Sequence, residues 1–262
     1  MRAARYLTIA ALLAPLAVAC DDEADADETP DAAAARIGLF SAEVDSVTFE
    51  VDYAPNAAPY TDLSLRPGNP WTLFERNAEA LFEQAPRTLN IPRTLDEMQA
   101  LSADDAPPGD YDVDRLLALA AAHRDRPSTE RDRSFYVVFL DGYFAEDGAR
   151  QTGVLGVSIG NTGVIALFKP VIDSTNAARF VEQTVLIHEF GHAVGLVDNG
   201  LAMVEPHRDD AHGAHCTNKD CVMYWQNEGV ADLVAFVQRF ALTTETVVFG
   251  PECLADAEAA AR

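Results

Sequence analysis

The sequence predicts a mixed α/β (α+β) protein of 262 residues, because segments with strand patterns and segments with helical patterns interleave along the chain. The clearest strand is the apolar, β-branched and aromatic run at residues 134–140, which is typical of a buried central strand. The clearest helical pattern extends from about residue 177 to residue 196. Further strands are predicted at residues 47–53, 88–91, 153–159 and 163–168, and further helices at residues 70–83, 112–123 and 228–240.

The composition suits a folded protein and argues against one class of partner. Hydrophobic residues make up 48% of the chain, which is ample for a core, and the formal net charge is -23. Binding to nucleic acid needs clustered lysine and arginine against the phosphates. Nucleic acid is therefore not an expected partner.

Residues 1–19 have the pattern of a signal peptide. An apolar stretch at residues 6–19 follows Arg2 and Arg5 and is too short to be a membrane-spanning helix. Small residues directly before Cys20 resemble the bacterial lipobox, so we expect cleavage before Cys20 and lipidation of this cysteine. The protein would then be exported and lipid-anchored to a bacterial membrane, with its globular part periplasmic or extracellular. Two alternatives stay open, which are ordinary cleavage with Cys20 incidental and a retained N-terminal anchor.

The rest of the chain divides into a tether and a folded domain. Residues 20–36 are rich in acidic residues and alanine and show no apolar periodicity, which predicts a disordered tether. Residues 37–262 are predicted to form the folded domain, with a larger lobe at 37–196 and a smaller C-terminal lobe at 197–262.

The residues that carry chemistry lie on the helix predicted at 177–196, where His188, Glu189 and His192 form the pattern H-E-x-x-H. Residues four apart lie on one face of a helix, so both imidazoles can reach one metal ion. Zinc held in this way lowers the pKa of a water molecule to about 7, and Glu189 is placed to accept the proton. We therefore expect a Zn²⁺ cofactor held by His188 and His192, with Glu189 as the catalytic general base.

The surrounding residues resemble a known family of peptidases. The run HEFGHAVGLVD at 188–198 resembles the metzincin signature H-E-x-x-H-x-x-G-x-x-H, with Asp198 in the last place, and the turn containing Met223 resembles the metzincin Met-turn. His215 and the two cysteines that follow it resemble the archaemetzincin branch, in which a ligand histidine precedes the same Cys-x4-Cys-x-Met spacing. The resemblance implies a zincin/metzincin-like fold with an active-site helix, and a zinc-dependent endopeptidase acting on peptide or protein substrates. It also implies that the strand at 153–159 is an edge strand that pairs with an extended peptide.

The third zinc ligand is open at the level of sequence. About twenty residues separate Gly195 from His215, which departs from the metzincin spacing, although a longer loop adds little to the cost of closure. We expect His215 to be the ligand because the local pattern matches and an imidazole suits zinc. The alternatives are Asp198, which has the standard spacing but also suits a turn, and His207 or His212 from the intervening segment.

Three cysteines remain after Cys20, namely Cys216, Cys221 and Cys253. Export would place them in an oxidising compartment, and we expect a disulfide between Cys216 and Cys221. Only Cys253 lies downstream, so a zinc site made of four cysteines is not expected. A second function stays open, in which the chain is a surface lipoprotein whose zinc site is structural or degenerate and whose task is binding.

Overall fold

The computed structural model describes residues 38–63, 68–225, 233, 234, 236, 237 and 246–262. The signal peptide, the tether and Cys20 lie outside the described residues, as does most of the helix predicted at 228–240. Within the described part, the mixed α/β class is confirmed. No helix in this part is long and apolar enough to cross a membrane. The division of the domain into two lobes stays a prediction.

The strands form two sheets. In chain order they are β1 (Ser46–Tyr53), β2 (Thr88–Asn90), β3 (Gln99–Ala100), β4 (Gly109–Tyr111), β5 (Asp132–Leu140), β6 (Gly142–Glu146), β7 (Ala149–Gln151), β8 (Gly156–Ile159) and β9 (Val164–Phe168). The main sheet has the order β2-β1-β5-β9-β8, with β3 also pairing with β1, and β4, β6 and β7 form a smaller sheet. The main sheet positions the site described below.

Strand β5 lies inside the main sheet because it pairs in parallel with β1 on one side and with β9 on the other. Its last seven residues are all buried, as the apolar run predicts. Strand β8 pairs antiparallel to β9 and forms one edge of the sheet among the described residues. The only antiparallel strand of this sheet is therefore also its edge on that side, within the described part of the chain.

The helices of five residues or more are α1 (Trp71–Leu81), α2 (Val113–His123), α3 (Lys169–Asp173), α4 (Ala178–Ala193) and α5 (Pro251–Ala260) within the described residues. Helix α4 carries the H-E-x-x-H pattern, and all of its residues from Val181 onward are buried. The ring of Phe190 lies 5.1 Å from those of Phe49 and Phe135 and 5.6 Å from that of Phe74. This aromatic packing fixes α4 against β1, β5 and α1.

Helix α4 ends where its sequence requires. Gly195 has a φ of 90°, a left-handed conformation that glycine adopts without a steric penalty. Its N–H donates to the carbonyl of His192 at 2.9 Å, and that of Leu196 donates to the carbonyl of Gly191 at 3.0 Å. These two bonds form a Schellman motif, so the helix stops directly after the second histidine.

A buried ion pair anchors the start of the same helix. The Lys169 ammonium donates to the Glu182 carboxylate at 2.6 Å, and the other Glu182 oxygen accepts from the main chain of Tyr60 at 2.8 Å. Burial raises the pKa of Glu182 to about 6, while Lys169 acts in the opposite direction. Removing Lys169 would leave the buried Glu182 carboxylate without its cation, whereas Lys169 also faces Asp173 at 3.1 Å.

Candidate metal centre

Three imidazoles converge beside the main sheet. His188 and His192 lie one turn apart on α4, and His215 reaches them from the segment that follows the helix. The ring centroids lie 4.7 Å apart for His188 and His192, 5.4 Å for His188 and His215, and 4.9 Å for His192 and His215. One ring nitrogen from each residue lies within 4.8 Å of the other two. The structure thus brings together the three histidines that the sequence favoured.

Main-chain carbonyls set the orientation of two of these rings. His188 Nδ1 lies 2.8 Å from the carbonyl of Val222, and His215 Nδ1 contacts the carbonyl of His212. A carbonyl only accepts, so each Nδ1 carries the hydrogen and each Nε2 keeps a lone pair. Both lone pairs are therefore available to a metal ion.

The spacing of the ring nitrogens fits zinc. His188 Nε2 and His192 Nε2 are 3.1 Å apart. Two nitrogens at about 2.0–2.1 Å from a tetrahedral zinc ion would be roughly 3.3–3.4 Å apart. Neutral imidazoles are also common zinc ligands, so the donor set and its spacing both suit this metal.

Glu189 directly follows His188 on α4 and packs against the edge strand. Its side chain is buried, and a Cβ added to Gly156 at the start of β8 would lie 3.1 Å from Glu189 Cγ and 2.7 Å from Val185 Cγ1. Only glycine lets the strand come this close to α4. The arrangement places a carboxylate, three imidazoles and a strand edge in one region.

Met223 packs beneath α4, at Gly191. A Cβ added to Gly191 would overlap Met223 Sδ and would lie 3.1 Å from Phe249 Cε1. The same turn makes two useful contacts, because the Val222 carbonyl orients His188 and the Met223 carbonyl accepts from the N–H of Cys216 at 2.7 Å. The turn thus supports both the helix that carries two imidazoles and the segment that presents the third.

Two of the alternative ligands lie elsewhere. Asp198 is exposed, has a φ of 59°, and faces Arg208 at 3.7 Å, as expected for a turn residue. The Nδ1–H of His212 donates to the Asp209 carboxylate at 2.9 Å, and its ring stacks on that of Trp225 with 3.8 Å between the centroids. Neither belongs to the group of three imidazoles.

His207, the remaining alternative, belongs to a second group. We call this group the cysteine cluster, and it consists of His207, Cys216, Cys221 and Cys253, all buried. His207 Nδ1 lies 3.3 Å from Cys216 Sγ, and Cys221 Sγ lies 3.6 Å from Cys253 Sγ. Hydrogen bonds from Cys221 and Cys253 lower the pKa of the Cys216 thiol.

The disulfide predicted between Cys216 and Cys221 is absent, which corrects the sequence-based expectation. No disulfide links the three cysteines of the described chain. The Cys216 sulfur lies 3.3 Å from His207 Nδ1 and hydrogen-bonds with the sulfurs of Cys221 and Cys253, and none of these contacts is a covalent bond. The cluster was not predicted from the sequence, although three cysteines and a histidine form a set that is common in zinc sites.

No protein-family model and no curated protein matches the chain. Among solved structures, the chain is similar to a zinc-dependent peptidase from Methanocorpusculum labreanum (15% identity, TM-score 0.45, covering 80% of this chain and 99% of that one). It is also similar to the archaemetzincins from Archaeoglobus fulgidus (16%, 0.39, 80% and 99%) and Methanopyrus kandleri (15%, 0.42, 82% and 95%). At these identities and TM-scores the likeness carries no argument about chemistry, which rests on the residues of this chain.

Proposed function

We propose that the protein is a zinc-dependent endopeptidase of the metzincin type, in which His188, His192 and His215 hold Zn²⁺ and Glu189 is the general base. The observation that carries this proposal is the convergence of three ring nitrogens within 4.8 Å of one another, next to a buried glutamate. When bound, zinc would act as a Lewis acid that polarises the peptide carbonyl and lowers the pKa of water to about 7.

The residues of the chain have separate roles in this proposal. The hydrogen bonds from His188 and His215 to main-chain carbonyls hold the rings in the orientation that a ligand needs. Glu189 accepts the proton of the attacking water and then donates it to the leaving amine. Its burial beside the imidazoles excludes bulk water from that transfer.

Strand β8 is the proposed binding site for the peptide backbone. It forms an edge of the main sheet among the described residues, so its outer side can pair with an extended peptide. Gly156 opens this strand next to Glu189, and a peptide paired with β8 would therefore run past the carboxylate. Such pairing recognises the backbone and favours cleavage within a chain.

A set of three protein ligands, which leaves one position on zinc open, favours a catalytic site over a structural or degenerate one. A structural zinc site is closed by four protein ligands, whereas a catalytic site has three and keeps one position open. The group found among the described residues has three imidazoles. We further propose that the enzyme is exported and anchored through lipid on Cys20, which supports action on proteins or peptides of the cell envelope.

Glu189→Gln tests the role of the general base. The amide cannot accept the proton, so turnover of a broad peptide library should fall by about 10²–10⁴-fold, while the three imidazoles keep zinc. Zinc content by elemental analysis and peptide cleavage by mass spectrometry measure the two effects. Glu205→Gln, in the exposed loop after α4, is the matched control and should leave both unchanged. Undiminished turnover in Glu189→Gln would overturn the assignment.

A further inference from the structure

We propose that a cavity beside the first residues of β5 binds an organic phosphate monoester through Arg124, Arg133 and Ser134. We call it the arginine cavity. Its volume is about 360 Å³, which lies within the range of small-molecule sites. Among the described residues that line it, none is an imidazole of the metal centre, and Glu189 does not line it either. The cavity is therefore a separate site from the catalytic centre proposed above.

The arginine cavity lies where the main sheet is incomplete. Strand β9 pairs with β5 only from Tyr136 onward, so the first four residues of β5 have a strand neighbour only on the β1 side in the described part of the chain. Arg124, directly after α2, reaches this free edge. Its guanidinium donates to the carbonyl of Ser134 and, at 3.0 Å, to that of Thr162. The gap in the sheet thus becomes a cavity with a guanidinium in its wall.

The arginine cavity holds positive charge in a strongly acidic protein. The chain has 42 acidic against 19 basic residues, yet no carboxylate lines the cavity among the residues that the structure describes. The Nε atoms of Arg124 and Arg133 are buried and have no hydrogen-bond partner there. Burial lowers the pKa of Arg124, although Glu50 acts in the opposite direction. Because burial disfavours the charged guanidinium, a bound anion would offset this cost.

The hydroxyl of Ser134 is a second and independent sign of a ligand. Ser134 lines the cavity and is only 3% exposed, and its Oγ has no hydrogen-bond partner within the described chain. Its main-chain N–H donates to Ser128 Oγ at 2.9 Å, so the backbone is held without the help of this hydroxyl. A buried hydroxyl without a partner is costly, and an anion oxygen would accept its hydrogen.

The donor set and the walls indicate the class of ligand. A phosphate monoester carries a charge of about -1.5 to -2 at pH 7, which matches two guanidiniums better than a carboxylate does. The planar fork of N–H groups on arginine also suits phosphate oxygens. Leu39, Phe135 and Ala193 contribute buried apolar surface to the same cavity. We therefore expect a phosphate that carries a small apolar group rather than inorganic phosphate.

The test is calorimetric titration of the full chain with phenyl phosphate, and with benzoate and phenol as probes of lower charge. Phenyl phosphate should bind at least about tenfold more tightly than benzoate, and phenol should not bind measurably. Arg133→Gln should weaken phenyl phosphate binding by about 10–100-fold. Arg131→Gln is the matched control, because the Arg131 guanidinium lies outside the cavity and pairs with Asp45 at 2.7 Å. It should leave the affinity unchanged.

Two further variants separate binding from folding and from zinc. Ser134→Ala removes a hydroxyl without a partner, so the stability of the unliganded protein should be kept or raised while the affinity falls by about 3–10-fold. His188→Ala alters the metal centre and should keep the affinity, which shows that the phosphate does not bind at zinc. Bound phenyl phosphate should slow amide hydrogen exchange at residues 124–128 and 161–163.

Vesicles that contain phosphatidate present the same monoester on a lipid. Sedimentation of the protein with them that depends on Arg133 would identify a lipid as the source, and binding of the soluble ester alone would identify a free phosphate ester. Benzoate that binds as tightly as phenyl phosphate would overturn the assignment of the ligand. Wild-type affinity in Arg133→Gln, or loss of binding in His188→Ala, would overturn the site.

Discussion

Replacing His215 by alanine should weaken zinc binding at the catalytic centre far more than any change at Asp198. Total binding free energies of about 10–16 kcal/mol for four-ligand zinc sites correspond to roughly 3–4 kcal/mol per ligand. At about 1.4 kcal/mol per tenfold change, His215→Ala should raise the dissociation constant by about 10²–10³. Peptidase activity should fall with zinc occupancy.

Asp198→Ala should leave zinc affinity unchanged, because the carboxylate is exposed and faces Arg208 rather than the imidazoles. An exposed ion pair contributes about 0–1 kcal/mol, and alanine is strained at a φ of 59°, so a stability loss of roughly 1–2 kcal/mol is expected. Competition with a chelator of known affinity measures zinc binding, and unfolding of the zinc-free proteins separates stability from it. If Asp198→Ala empties the site and His215→Ala does not, the geometric argument fails.

Three further predictions concern packing, processing and pH. Gly191→Ala should lower the free energy of unfolding by about 1–3 kcal/mol in chemical denaturation, because its Cβ overlaps Met223. Met223→Ala should then destabilise the Gly191→Ala variant less than it destabilises the wild type. Mass spectrometry of the membrane fraction should find a mature chain beginning at an acylated Cys20, whereas a soluble chain with another N-terminus would exclude lipidation. Burial, with a smaller contribution from Glu50, raises the pKa of Asp52 to about 6, so its protonated form is favoured in the folded state. Its contribution to stability should be present below pH 4 and be lost as the pH rises to about 6, and Asp52→Asn should flatten the stability profile in that window.

The sequence predicted the parts of the fold that have strong periodicity. Strand β5 and helix α4 were found because a long apolar run and a long helical pattern are each hard to form by chance. The small sheet of β4, β6 and β7 was missed because its strands have three to five residues and lack a clear alternation. The helical pattern was extended to residue 196, whereas the Schellman motif at Gly195 ends α4 at Ala193.

For the candidate site, too, contacts within one helix could be predicted from the sequence, whereas contacts between distant segments could not. The spacing of His188 and His192 is a property of one helix, so it could be read directly. The position of His215 depends on hydrogen bonds to the turn at Met223, which only the folded chain reveals. The predicted Cys216–Cys221 disulfide was wrong because the fold brings His207 and Cys253 to the same two cysteines, a grouping that spacing in the sequence does not reveal.

The hydrogen bond from His188 to Val222 has a consequence for how this site tolerates change over evolution. Its acceptor is a main-chain oxygen, which every amino acid possesses, so the side chain at position 222 can vary without removing the bond. Residues 191 and 223 constrain each other, because the Met223 side chain occupies the space in which a Cβ at Gly191 would lie. Among related sequences, the amino acid at position 222 should therefore vary within the limits of core size, whereas those at positions 191 and 223 should change together.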